Sequence, residues 1–492
     1  MRRATDRLAN EIFDILIIGG GITGACVARD ASLRGLKVAL VERGDFANAT
    51  TAHNSKLIHG GLRYLRNFEL GLVRESLRER RIWQRIAPHL VHPLPFLVPL
   101  YAGGWKARAT LSAGLTLYDI LSFDRGWLDD PAQRLPGHSW LSADEARRRE
   151  PVLDEPGLQG AFLYYDAQML SPERLALECL IDADAHGAAL ANYAEAGRLL
   201  LRDGKVEGCT VRDTISGDSF DIRAKATLVA TGPWADIFLE HAINRPSSHK
   251  LLRSKGIHVL VPQITREFAL TMATAHGHFF VLPWRGHTLL GTTDTVFTGD
   301  PDMLAVSEGD IAGFFAFINK HLPKAALTRD KVEYFYAGLR PLVADGASDT
   351  YGTSRKSELV DHGKDDGLDG LFSAIGGKWT TSRHLAEKVV DRLIAKLDVK
   401  TDECKTGDRR LPGTPMPDDI EIQVTTAMHV EMALTLEDVV MRRTCLGQFG
   451  KPSGDMLETL SRLMATELGW SEERRLREIA SLDKWYTTRE AS

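Results

Sequence analysis

FDILIIGGGITGACVARDASLRGLKVALVE, residues 13–42, is the stretch on which the fold turns. Residues 13–18 are an apolar run of the kind a buried parallel strand needs. Gly19-x-Gly21-x-x-Gly24 follows at once. Residues 22–33, rich in Ala and other small residues, read as a helix, with Gly35 just past its end. Residues 37–41 form a second apolar run, closed by Glu42. Each part has a task in holding a dinucleotide. Gly19 permits the tight turn, Gly21 lets the backbone approach a pyrophosphate, and Gly24 lets helix and strand pack closely. The helix N-terminus offers free N–H groups and the positive end of its dipole to phosphates. Glu42, at the tip of the second strand, is placed to accept hydrogen bonds from ribose hydroxyls. A GxGxxG alone is a weak signal, because Gly clusters occur in ordinary turns. Here it sits between a strand and a helix, with an acid on the next strand. That context favours dinucleotide binding over a plain structural βαβ unit.

The 492 residues suffice for two or three domains with a large core. A net charge of −5 gives no general argument for nucleic acid binding. The five cysteines are scattered without a CxxC pair, which argues against a zinc site or a disulfide framework and fits a reducing compartment. No metal centre is expected. The basic N-terminus has no apolar core before the first strand, so no signal peptide is expected. No run reaches the roughly 18 apolar residues a membrane span requires, and the best candidate, residues 90–101, is broken by Pro93, Pro95 and Pro99.

Further along, residues 68–87 read as an amphipathic helix. Phe68, Leu72, Leu77, Trp83 and Ile86 share its apolar stripe, while Arg74, Arg78, Arg81 and Arg85 decorate the rest. Those arginines are read as a solvated face, with a patch for anionic lipid as the rival. Residues 103–122 suit either a helix lying in a membrane interface or a buried helix of the second domain. Ser171-Pro172-Glu173 starts a helix through Ala185. Strand-like runs follow at 189–193, 206–212 and 220–224. The apolar run at 226–230 ends on Thr231-Gly232-Pro233, a turn that in two-dinucleotide-fold flavoproteins returns the chain beside FAD. Residues 257–262 read as a strand carrying His258, and 279–283 with 288–294 as a hairpin. A strand from 371 feeds Gly376-Gly377-Lys378 and a helix opening at Thr380. The dipole of such a helix favours an anionic flavin edge, the second pointer to FAD. Residues 398–418 are a polar, Pro-rich linker, and the remainder is helical, with Thr435, Ser453 and Ser471 as N-caps. The tail shows no chemical constellation and is read as packing or oligomerisation, a homodimer being one possibility.

SKLIHGGLRYL (55–65), ATGPW (230–234), LPW and GTTD (282–294), GLRPL (338–342) and GGKWTT (376–381) occur in this order. With the glycine fingerprint they resemble the FAD-dependent, aerobic, membrane-associated glycerol-3-phosphate dehydrogenases, over about residues 12–395. The resemblance implies an α/β fold: a two-dinucleotide-fold FAD domain (1–75, 160–245, 370–397), an inserted antiparallel substrate or cap domain (76–159, 246–369), and an all-α C-terminal region (398–492). It implies oxidation of sn-glycerol 3-phosphate to dihydroxyacetone phosphate, electron transfer through FAD to a quinone, and a peripheral position on the cytoplasmic face of the membrane. Two departures bear on the substrate: Ser357 after Ser354-Arg355-Lys356, and Ile257 where the family has Ser. They leave open a related polyol phosphate such as a tetritol phosphate. An amino acid oxidase, a flavin sensor without turnover and an RNA-modifying flavoprotein are the other rivals.

Oxidising a secondary alcohol needs a two-electron acceptor, a base for the hydroxyl proton and an anchor for the phosphate. A dianionic phosphate wants guanidinium forks. Arg63, Arg340 and Arg355 are the candidates, with Tyr64 as a neutral donor. His59 is the first choice of base and His258 the second. Lys378 is placed to hold the flavin edge or a substrate oxygen. Thr293 and Asp294 are read as orienting the arginines. Gly19, Gly21, Gly24, Glu42, Ser55, Lys56, Thr231, Gly232, Gly376, Gly377 and Thr380 are the expected FAD contacts.

Overall fold

The computed structural model describes residues 1–101, 104–247, 249–274, 277–343, 357–413 and 417–489. The fingerprint folds as its periodicity demands. Ile12–Ile18 is a strand, Ile22–Leu33 a helix and Val38–Val41 the next strand. The two strands pair in parallel, Ile15 opposite Val38 and Ile18 opposite Val41. Across the sheet the order is Ser357–Asp361, Leu371–Gly376, Ser219–Val229, Ile12–Ile18, Val38–Val41, Ala189–Ala191. Ser357–Asp361 runs antiparallel at one edge, and the others are parallel. Ala194–Arg202 and Lys205–Asp213 extend Ser219–Val229 as an antiparallel flap. The runs at 220–224 and 226–230, read separately from sequence, are one continuous strand.

Ile22–Leu33, Pro172–Ala185 and Ser382–Leu397 cover one face of this sheet in a shared apolar core. Ala25, Ala28 and Ala31 let the helices approach, as the small residues suggested. Ser171 caps the second helix as read, its Oγ accepting from Arg174 N at 3.1 Å.

A second sheet of ten strands faces the first. It is antiparallel except where Ala269–Thr274 runs parallel to Val91–Leu100. Pro93, Pro95 and Pro99 share one parity along Val91–Leu100, so their missing N–H groups fall on one edge of that strand. The hairpin at 277–291 closes with Trp284 opposite His287, across Arg285 (φ 50°) and Gly286 (φ 82°). Two positive φ values are what a two-residue primed turn needs.

The expected domain boundaries shift at two places. Gly160–Met169 pairs along its full length with Val91–Leu100, so it belongs to the cap sheet. Ser357–Asp361 pairs with Leu371–Gly376, so it belongs to the FAD-domain sheet. Phe68 is also displaced: it precedes the helix Leu70–Ile86 at φ 55° and is 83 % exposed, while Leu72, Leu77, Trp83 and Ile86 are buried as read.

The tail is more than a packing appendage. Asp45, just beyond the fingerprint, is fully buried and receives Arg443 Nη1 at 2.9 Å, Arg443 Nη2 at 2.8 Å and Arg442 Nε at 2.6 Å. Burial alone would raise this carboxyl; Arg443 and Arg442 hold it at about 2. Removing one member of such a buried network costs roughly 3–5 kcal/mol.

Candidate functional site

Between the two sheets lies a cavity of about 2200 Å³. Its floor is built from the turns of the first sheet. Gly19, Gly21, Thr231, Gly232, Gly376 and Gly377 all border it. Gly19 has φ 114°, and a Cβ there would lie 2.6 Å from Ala230 O. Gly24 does not border the cavity. Its role is packing, since a Cβ would lie 1.9 Å from Gly19 O. Glu42 accepts from Gly20 N at 2.7 Å and Gly44 N at 2.9 Å; burial raises its carboxyl while those amides lower it. Thr51 caps the fingerprint helix, accepting from Ile22 N at 2.9 Å. Ala47 and Ala49, both at φ 60°, curl the adjoining loop, and Asn48, Ala49 and Thr50 border the cavity beside it.

The roof comes from the second sheet. On Leu251–Pro262, side chains alternate: Ile257, Val259 and Val261 enter the cap core, while His258 faces the cavity. Ile257 is 1 % exposed and its side chain does not line the cavity, so that departure from the family pattern leaves the pocket wall unchanged. His258 Nε2 is 2.9 Å from Ser55 Oγ, its ring stacks on Tyr336 with centroids 5.0 Å apart, and its Nδ1 is a buried atom with no hydrogen-bond partner among the described residues. Burial, then Arg340 and Lys56, hold His258 well below the ordinary histidine value, so it stays neutral.

Arg340 donates to three oxygens among the described residues. Its Nη1 donates to Ser254 Oγ at 2.9 Å, and its Nη2 to Thr292 Oγ1 at 2.7 Å and Thr293 O at 3.1 Å. Ser254 Oγ in turn donates to Asp294 at 2.6 Å, so Thr293 and Asp294 lie in the chain of bonds around Arg340. Gly256 makes room for the guanidinium: a Cβ there would lie 2.3 Å from Arg340 Nη2.

On the other side, Arg63 Nη2 donates to Tyr64 OH at 3.1 Å, and Lys378 Nζ lies 3.9 Å from the Tyr64 ring centre. Lys378 Nζ also donates to Ser76 Oγ at 3.0 Å. His59 N donates to Thr380 Oγ1 at 3.2 Å, which ties the two walls together. His59, Arg63, Tyr64, His258, Arg340 and Lys378 thus border one space, with Ser55 and Thr380 beside them.

Lys56 is a correction. It is 1 % exposed and absent from the cavity wall. Its ammonium donates to Ala52 O at 2.7 Å and Glu173 Oε1 at 3.0 Å, with the Trp284 and Tyr336 rings above it. It braces the loop against the N-terminus of Pro172–Ala185 instead of touching a cofactor. Arg355 lies outside the described residues. Sequence reasoning also missed His53, Tyr336 and Trp485. His53 stacks on Tyr336 at 5.3 Å and meets Trp485 edge-on at 5.5 Å. Lys484, Trp485, Thr487 and Arg489 bring the tail to the cavity wall, contrary to the reading that it carried none of the site.

Residues 14–392 match the FAD dependent oxidoreductase family, and residues 369–475 match the C-terminal domain of alpha-glycerophosphate oxidase. The glycerol-3-phosphate dehydrogenase of Synechocystis is 33% identical over 535 residues, covering 95% of each chain. The chain belongs to the FAD-dependent glycerol-3-phosphate dehydrogenase family. Its counterpart in Mycobacterium leprae is 37% identical over 80% of this chain, which spans 65% of that relative's length. The glycerol-3-phosphate dehydrogenase from Bacillus halodurans complexed with FAD has the same fold, with TM-score 0.75, 26% identity, and 98% and 96% of the two chains covered.

FAD is the family's cofactor, and the floor fits it. The fingerprint helix opens on the cavity, the glycines leave it no Cβ to clear, and Thr231 Oγ1 is buried without a hydrogen-bond partner among the described residues. Gly19, Gly21, Glu42 and the 47–51 loop would hold the nucleotide half; Gly376, Gly377 and Thr380 would hold the flavin half. Among the described residues, no group of three His, Cys, Asp or Glu side chains could hold a metal ion.

Proposed function

We propose that the chain oxidises sn-glycerol 3-phosphate to dihydroxyacetone phosphate and passes the electrons to a quinone. Bound FAD supplies the two-electron acceptor. The arrangement that carries the reading is Arg340, fixed by Ser254, Thr292 and Thr293 on the roof and facing the same space as His59. Arg340, with Arg63 and Lys378, supplies positive charge for the phosphate. His59 takes the proton of the C2 hydroxyl. Neutral His258, backed by Ser55, orients that hydroxyl. A tetritol phosphate would use the same groups.

The lining of the cavity supports the quinone. Leu62, Leu65, Val98, Leu111 and Phe280 border it and belong to or pack against one apolar cluster, a surface suited to a lipophilic acceptor. No helix among the described residues is long and apolar enough to cross a membrane. Gly104–Leu121 and the turn after it expose Trp105 (76 %), Ile120 (62 %), Phe123 (57 %) and Trp127 (65 %). With Lys106 and Arg108 alongside, this face supports attachment at a lipid interface. The arginines of Leu70–Ile86 support it less: Arg74 and Arg81 are tied to Asp124, and Arg85 to Asp408.

The test is anaerobic mixing of the FAD-loaded protein with glycerol 3-phosphate. Bleaching of the flavin absorbance, with none from glycerol, is the expected result. Full FAD occupancy without bleaching would overturn the substrate assignment. Reoxidation by a short-chain quinone in the same cuvette reads the acceptor.

A further inference from the structure

His59 is followed by Gly60-Gly61, and the backbone at Gly60 is held with unusual thoroughness. Gly60 N donates to Tyr118 OH at 2.9 Å and reaches Asp166 Oδ1 at 3.3 Å. Tyr118 OH itself donates to Asp166, with its oxygen 2.9 Å from Oδ1 and 2.8 Å from Oδ2. Arg80 Nη1 completes the set at 2.5 Å from Oδ1, and Arg80 Nη2 donates to Ser122 Oγ at 2.8 Å. Asp166, Arg80 and Tyr118 are 1 %, 1 % and 2 % exposed. The fit leaves no slack: a Cβ on Gly60 would lie 2.4 Å from Tyr118 OH and 2.5 Å from Leu77 Cδ2.

Tyr118 and Asp166 do not border the cavity, so they cannot touch substrate or cofactor. What they hold is the amide next to His59. On the opposite side, His59 N is held by Thr380, from the floor. The two consecutive amides are thus fixed by different walls. A chain fixed at both points has little freedom left at His59 Cα. Arg80 keeps the buried Asp166 from standing as an uncompensated charge.

We propose that Tyr118, with Asp166 behind it, is a positioning residue for His59, setting where the imidazole meets the substrate hydroxyl. The inference rests on His59 being the base. Misplacing a reacting group by about 1 Å can cost on the order of 10²-fold in rate.

The experiment is a double-mutant cycle on the FAD-loaded protein, read as the anaerobic rate of flavin reduction by glycerol 3-phosphate. Tyr118→Phe removes the hydroxyl and keeps the ring. It is expected to slow reduction roughly 10- to 100-fold, with FAD content and the half-saturating substrate concentration changed less than twofold. Tyr118→Phe added to His59→Gln should slow reduction no further than His59→Gln alone, since both act at one group. Ser461→Ala is the control. It removes a buried hydroxyl on Gly454–Leu468 that accepts from Arg475 Nη1 at 2.9 Å, outside the cavity wall, and should leave the rate unchanged. If the two losses multiply, or Tyr118→Phe reduces at the parent rate while His59→Gln is slow, the positioning role is overturned and the base stands. If His59→Gln itself reduces at the parent rate, the base assignment falls, and this inference with it. Should Tyr118→Phe not accumulate folded, Asp166→Asn in the same cycle gives the same decision.

Discussion

The floor of the cavity is made of backbone, and its roof is made of side chains. On the floor, Gly19, Gly21, Gly376 and Gly377 bring main chain to the surface, and the recognising groups are N–H donors at a helix start. On the roof, Ser254 and His258 share the strand Leu251–Pro262, Arg340 comes from its neighbour Tyr334–Val343 and Thr292 from a turn, and each is held by another side chain or a carbonyl. The lesson is one of failure modes. A backbone floor has no alternative conformation, so a small addition there should remove binding altogether. A roof of side chains should lose function in steps, one group at a time.

Gly19→Ala should give the largest effect. Its Cβ would sit 2.6 Å from Ala230 O, on a backbone at φ 114°, an overpacking cost of roughly 3 kcal/mol. Little FAD-loaded protein should be recovered by absorbance, and normal flavin content would break the contrast. On the roof, His59→Ala should slow flavin reduction by roughly 10²- to 10⁴-fold with FAD retained. A normal rate would move the base elsewhere. Arg340→Ala should raise the substrate KM roughly 10- to 200-fold, the equivalent of about 1.5–3 kcal/mol for a lost charged hydrogen bond, again with FAD in place. An unchanged KM would remove Arg340 from the site.

The smallest effect concerns pH. Burial and the nearby Lys56 hold His53 down to about 3, and burial and Arg340 hold His258 well below its ordinary value. In the unfolded chain both take up a proton near about 6.5. Their contribution to stability is therefore complete above that pH and is lost as pH falls toward 3. The slope is at most about 1.4 kcal/mol per pH unit for each ring, and less for His53, which borders the cavity. Urea melts at pH 7, 6 and 5 should show His53→Gln losing less stability on acidification than the parent. An equal loss would mean the ring is wet and titrates freely.

The same contrast explains what could be read in advance. The fingerprint part of the floor is local: strand, turn, helix and acid lie within residues 13–42, and the periods of 2 and 3.6 expose them; the turns at Thr231-Gly232 and Gly376-Gly377 were read each from its own strand end. Arg340 and His59 came into view through their motif blocks, whose order matched a family, and His258 through the strand at 257–262; all three border the cavity. Lys56 lay in such a block too, and its block misled. Its partner Glu173 is 117 residues away, and nothing in SKLIHGG distinguishes a lysine turned inward from one turned outward. Gly160–Met169 was assigned to the wrong sheet for a similar reason, because a strand's alternation shows that it pairs and not with what. Trp485 was hidden by its setting, a polar segment after the last helix, where nothing signals a cavity wall some 430 residues away along the chain, beside His53.

The grip of Arg442 and Arg443 on Asp45 has a consequence in time. Arg442 lies 397 residues after Asp45. At about 5–20 residues per second, a ribosome needs roughly 20–80 s to travel between them. Throughout that interval the fingerprint exists but Asp45 lacks the guanidiniums that compensate its burial. A nascent chain therefore carries Asp45 uncompensated until Arg442 and Arg443 have left the ribosome, and their arrival is what locks the loop after the fingerprint to the helical tail.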